Sequence, residues 1–137
     1  MLRRSSCIIA LPAMFVGLWP AQAANTVLTL ACQGTTKETT VEDAKPEPIS
    51  MGIVVNLTDR TVQGFGLSAV FPLKITEVGD VSVTFSSSEP KPTVTQWNIY
   101  GSINRVTGDV EAISSALDMK TGQSITSTSF ALKCRPA

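Results

Sequence analysis

Ser88-Glu89-Pro90-Lys91 is the stretch that comes nearest to a catalytic pattern. It matches Ser-x-x-Lys, in which a lysine activates a serine for acyl transfer. That chemistry needs the two residues one helical turn apart, near the start of a helix. Pro90 and Pro92 put this stretch in an extended loop instead. The chain has no histidine, so Ser-His-Asp and Cys-His nucleophiles and histidine metal sites are excluded. Glu42-Asp43 and Asp109 with Glu111 are acidic pairs without the spacing of a metal loop. Gly64-Phe65-Gly66 has no helix behind it and so cannot cradle a phosphate. Asn56-Leu57-Thr58 has the pattern of a glycosylation sequon and reads as the polar end of a strand. No catalytic residue, metal ligand or cofactor site is assigned, and the chain reads as a protein that is not an enzyme.

The address is easier to read than the chemistry. Arg3 and Arg4 precede an apolar stretch from Ile8 to Trp19, and Ala21-Gln22-Ala23 has the small-x-small form of a cleavage site. Residues 1–23 are therefore expected to be a cleavable signal peptide of the general secretory type, with 24–137 as the mature domain. No apolar run of the length that spans a bilayer follows. The expected compartment is the bacterial periplasm or the exterior. Basic and acidic residues balance at 11 each over the full chain. Loss of the leader leaves a slight acidic excess, and no basic patch points to nucleic acid.

Cys7 leaves with the leader, which leaves Cys32 and Cys134. In an oxidising compartment this pair reads as a disulfide linking the two ends of the domain. A loop of that length corresponds to about 4 kcal/mol of stabilisation in the chain-entropy treatment.

The domain is all-β. Thr, Val, Ser and Ile are abundant, and apolar residues alternate with period two rather than 3.6. Eight strands are expected, near 26–33, 49–57, 61–65, 73–78, 81–86, 94–104, 109–117 and 124–134. Thr58-Asp59-Arg60, Gly79-Asp80 and Arg105-Val106-Thr107-Gly108 are tight turns, with Gly79 expected at positive φ. The segments 34–48, 66–72, 87–93 and 119–123 are looser. In meander order all the tight turns fall at one end and the looser loops at the other. An even number of strands lets the first and last pair, closing an eight-stranded antiparallel up-and-down barrel of the lipocalin-like, calycin-like kind. The disulfide then requires the first strand to run past Gly34, as a bulge or bend, to about Val41, because bridged Cα atoms lie close together. A β-sandwich is the alternative.

Function, if the barrel is right, is expected at the long-loop rim formed by 42–48, 66–72, 87–93 and 118–123. Ile49, Met51, Phe85 and Trp97 should point inward beneath it, with Phe71 in the loop above. Ala112, Ser114 and Ala116 leave room opposite Trp97. Lys45-Pro46-Glu47-Pro48 and Glu89-Pro90-Lys91-Pro92 form a matched pair of stiff, charged segments that stay out of the ladder. The candidate ligand or partner contacts are thus Met51, Phe71, Phe85, Glu89, Lys91 and Trp97. The expected function is an exported binding module for a small apolar ligand or an envelope protein. The alternative is a structural or inhibitory envelope protein with a packed barrel.

Three segments carry a resemblance. Pro48-Ile49-Ser50-Met51-Gly52, the stretch Gly101 to Ala112 and Leu132-Lys133-Cys134-Arg135-Pro136 resemble short, uncharacterised exported proteins of alphaproteobacteria. The resemblance implies a bacterial envelope address and brings no activity, cofactor or site residue with it. The exported β-barrel inhibitors of bacterial metalloproteases are similar in size, disulfide use and architecture alone.

Overall fold

The computed structural model describes residues 26–65, 73–88 and 93–137. They form β1 (Val27–Glu38), β2 (Glu47–Asn56), β3 (Thr61–Gln63), β4 (Leu73–Val78), β5 (Ser82–Ser88), β6 (Thr95–Asn104), β7 (Asp109–Asp118) and β8 (Ser124–Pro136). Each strand pairs antiparallel with the next, and β1 pairs with β8, so the sheet closes on itself. This is the up-and-down barrel; the sandwich pairing does not form.

The period-two pattern decides which face goes inside. Ile53 and Val55 of β2, Val83 and Phe85 of β5, Ile99 and Ile103 of β6 and Val110 and Ala112 of β7 are buried in the bore. Their neighbours point out. Gln33, Lys37, Lys74, Glu111, Lys133 and Arg135 are exposed on the outer wall. A lipid-facing barrel has the opposite polarity, with an apolar band outside. No helix among the described residues is long and apolar enough to cross a membrane.

Closure rests on β1, and β1 is long, as the disulfide requires. Cys32 lies opposite Cys134 in the β1–β8 register, and the two are bonded, with Cα atoms 4.0 Å apart. The strand runs to Glu38 rather than Val41, and the Thr39 amide still donates to Ser127 O at 2.6 Å. Gly34 is not a bulge, because the register passes through it unbroken to Leu132 on one side and Ile49 on the other. Its role is close approach: a Cβ there would lie 2.0 Å from Ala131 O. Pro48, expected outside the ladder, sits in β2 opposite Thr35. Thr39 and Thr29 aim their backbone groups at β8. Thr35 shares their parity, so its pair with Pro48 is of the non-hydrogen-bonded kind and needs no proline N–H.

Three hairpins use one turn. The side chains of Asn56, Asn104 and Asp118 accept from the amides two and three residues on, at 2.7–3.1 Å. Each turn then places a residue in the left-handed region, Arg60 (φ 54°), Gly108 (φ 77°) and Gly122 (φ 70°). Arg60 has no glycine's freedom there. Its guanidinium is held by Ile75 O and Thr76 O. The connection 119–123, expected to be loose, is therefore as tight as the turns at the opposite end. Gly79 also departs from expectation: its φ is not positive, and the β4–β5 connection takes in Val81, with Gly79 N bonded to Ser82 O.

The bore is filled by aromatic rings set against small residues. Phe85 lies opposite Gly101, which lies opposite Ala112, which lies opposite Phe130. A Cβ on Gly101 would lie 2.7 Å from Phe85 Cζ and 2.5 Å from Glu111 O. Phe65, just after β3, packs on Phe85 with ring centroids 5.5 Å apart and edge-on to Phe130 at 5.4 Å. The room expected opposite Trp97 is thus partly taken by Phe85, while Trp97 itself faces Ala116.

Two stability outcomes follow from this packing. Replacing Cys32 and Cys134 by alanine should lower the unfolding free energy by about 4 kcal/mol, the chain entropy that the cross-link removes. Urea unfolding of the double variant measures it, and a loss below about 1 kcal/mol would show that the β1–β8 ladder alone closes the barrel. Gly101→Ala should cost about 1–3 kcal/mol through overpacking, since both Phe85 and the β7 backbone stand in the way. A variant as stable as the parent would mean that Phe85 has another rotamer to adopt.

Candidate functional site

The residues expected to meet a ligand do not form one site. Phe85 is 1 % exposed and belongs to the core. Met51 is half-buried, lies opposite Cys32 and packs against that core. Trp97, also half-buried, is four residues nearer the long-loop end than Gly101 on the same inward face. Phe71, Glu89 and Lys91 lie outside the described residues. Of the described candidates, only Trp97 stands near the rim.

The rim has another set of side chains that sequence reasoning missed. Val94, Val41, Ile125 and Met119 are 73 %, 55 %, 49 % and 44 % exposed. Met119 N donates to Val94 O, so these two are neighbours. Ile125 and Val41 each stand two residues beyond the bonded pair Ser127 and Thr39, on either side of the β1–β8 seam. Val41, Val94 and Met119 stand on three connections at this end of the barrel, and Ile125 stands at the start of β8. The opposite end exposes valines as well, at 27, 78, 81 and 106. There the polar side chains tie the turns together. Arg105 Nη1 donates to Gly79 O and Asn56 Nδ2 to Asp59.

Glu38 holds the seam at the rim. As the last residue of β1 it accepts from the Thr40 hydroxyl and from the Ser127 amide at 3.0 Å. The Thr40 hydroxyl first, and then the Ser127 amide, hold its carboxyl below the usual glutamate range. At the other end of the barrel the Thr107 hydroxyl, and then Lys133 at 2.9 Å, hold Asp109 below its own range.

The described side chains also shape three depressions, all on the outer wall. One of about 500 Å³ lies over β6–β8, with Tyr100, Ser102, Glu111, Ile113 and Ser129 around a floor of Gly101, Ala112 and Phe130. One of about 600 Å³ lies over β8, β1 and β2, beside Gln33, Ser50, Gly52 and Arg135. A smaller one of about 290 Å³ lies between them, beside Gln33, Asp109 and Lys133. Tyr100 is 55 % exposed. Its alternation with Ile99 was legible in the sequence; the depression beside it was not, because it depends on cross-strand register.

Comparison of the chain with protein-family models, with curated proteins and with solved structures finds no match. The fold and these surfaces therefore carry the functional argument.

The depressed carboxyl at the seam gives a pH outcome. A group whose pKa is lower in the folded state adds stability above its unfolded pKa, and that stability is lost as pH falls through the folded value. Between neutral pH and the acid limb, the parent should therefore lose more stability than Glu38→Gln. Urea midpoints of both proteins across the acid range test this, and parallel curves would show that Glu38 does not hold the seam.

Proposed function

We propose that the protein is an exported binding module whose long-loop rim docks on an apolar surface of another envelope protein. The carrying observation is the exposure of Val41, Val94, Met119 and Ile125 at one end of the barrel, with Met119 N bonded to Val94 O. Single exposed apolar residues are ordinary, whereas contiguous ones mark interaction surfaces. The aromatic packing of Phe65, Phe85 and Phe130 supports a protein over a small apolar ligand seated deep in the bore. A ligand at that depth would have to displace Phe65, which is 2 % exposed. Export is supported by the leader pattern, by the disulfide and by the polar outer wall. An inhibitor that inserts its rim into a target is one form of the same reading.

A photo-crosslinking amino acid tests the rim in the native envelope. Placed at Met119 or Ile125, it should give a discrete protein adduct; placed at Val106 or Val81, it should give none. Adducts from Val106 and Val81 alone, or from no position, would overturn the reading. A small molecule carried by the purified protein in native mass spectrometry would favour the small-ligand alternative.

A further inference from the structure

The bore is filled only part of the way to the rim. Inward residues at its lower levels, Ile53, Val83, Ile103, Val110 and Leu132, are at most 5 % exposed. Toward the rim the inward residues Thr36, Ile49, Trp97, Ser114, Thr128 and Phe130 are all half-buried. An inward side chain of a closed barrel meets solvent where the bore is open, so the mouth is open down to Phe130. Phe130 packs edge-on to Phe65 and forms the floor. Ala116, the cross-strand partner of Trp97, is 1 % exposed, as a small residue is when an indole lies over it. The ring therefore lies along the wall and leaves the space in front of it open.

The order of strands gives this mouth two unlike sides. β2 and β6 are four strands apart in a ring of eight, so Ile49 and Trp97 stand on opposite walls. Between them, β1, β8 and β7 contribute Thr36, Thr128 and Ser114, with Ser114 opposite Thr128 in the register. The opening is thus a slot with apolar faces and one hydroxyl-lined edge. Its inward carboxylates, Glu38, Glu47 and Asp118, stand only at the lip, and two of them are engaged with backbone amides. Below the lip no described inward side chain carries a charge, so the slot suits a neutral group. The Thr128 hydroxyl donates to Glu38, whereas Thr36 and Ser114 make no side-chain hydrogen bond with the described residues. A group entering a bore strips such hydroxyls of water, so it must bring a hydrogen bond of its own. An eight-stranded bore has room for one small group, and the floor at Phe130 limits it to the length of one side chain. A flat ring fits between the opposed apolar faces, and a hydroxyl on that ring satisfies the polar edge. We infer that the mouth of the bore is a socket for one tyrosine side chain of the docked protein, its ring between Ile49 and Trp97 and its hydroxyl against Ser114. The inference rests on the rim reading for the source of the tyrosine, and adds the side chain that the rim admits.

Two tryptophans occur, Trp19 in the leader and Trp97, so the exported chain 24–137 reports on the mouth through one indole. NMR titration of that chain with N-acetyltyrosinamide should shift the Trp97 indole and the Ser114 and Thr128 amides in a saturable way. N-acetylphenylalaninamide should bind about tenfold more weakly, because it leaves the hydroxyls without a partner. Ser114→Ala should bring the two probes to within about twofold of each other, and Trp97→Ala should weaken the tyrosine probe about tenfold. The dispersion of the variant spectra checks that each still folds. The inference is overturned if the tyrosine probe gives no saturable shift in the mouth, if the phenylalanine probe binds as well, or if Ser114→Ala keeps the preference. Crosslinked adducts from Met119 or Ile125 with no probe in the mouth overturn the socket and leave the rim reading standing. A probe that binds in the mouth while the rim gives no adduct overturns a docked protein as the source of the ring, and the rim reading with it.

Discussion

Closure of β1 on β8 is the constraint on which the other features depend. A sheet of eight strands left open would present two edges, each a row of unpaired backbone groups. Here the ladder from Leu30–Pro136 to Glu38–Thr128 removes both edges. The Cys32–Cys134 bond sits within that ladder, between residues already in register, at a sequence separation of 102. Non-local pairing of this kind is the slow, entropically costly step in forming a barrel. A covalent link at that place lowers the cost by restricting the unfolded chain. Glu38 and Thr39 finish the seam with side-chain bonds to the Ser127 backbone.

Closure also sets how the bore is filled. An eight-stranded barrel is only wide enough for its own side chains or for one small ligand. Three phenylalanines therefore need glycine or alanine where their rings lie. Gly101 serves Phe85 in this way, and Gly34 lets β8 pass close to β1. Both glycines lie on the inward face, and their backbones also line separate depressions on the outer wall.

Much of the fold was legible because period two survives in almost every strand, and because the disulfide geometry forced a long first strand. The misreadings have physical causes. Gly34 was read as a bulge or bend because glycine in a strand often marks one; the register passes through it without a bulge, and what calls for glycine is a backbone contact from β8, which no local pattern encodes. The 119–123 connection was grouped with the looser loops at its end of the meander, but Asp118 supplies the cap that its counterparts Asn56 and Asn104 supply elsewhere. Pro48 was read as a ladder breaker, although a non-hydrogen-bonded site needs no N–H. Phe85 and Met51 were placed inward correctly and yet are core, because inward parity cannot tell a packed level from an open one. Phe65, which packs at that level against Phe85 and Phe130, stands between two glycines, where no period-two pattern marks it as inward.

The wall and the rim differ in what the fold leaves free at each. At the tight-turn end, Asn56, Asn104 and Arg105 are spent on amides and carbonyls of the turns, and Arg60 on carbonyls of β4. A surface whose polar groups are already satisfied offers a partner little beyond shape. At the rim, Glu38 and Asp118 are likewise engaged with backbone amides, and Val41, Val94, Met119 and Ile125 are exposed beside them. On the wall above Gly101 and Ala112 they are mixed: Tyr100, Ser102 and Glu111 stand beside Ile113, and Ser129 Oγ donates to Lys37 O at 3.4 Å. Stability does not need Tyr100 exposed, or Glu111 without a cation beside it. The β7–β8 ladder would hold equally well with a lysine at Ala131, opposite Glu111. Such a cross-strand ion pair would be stabilising.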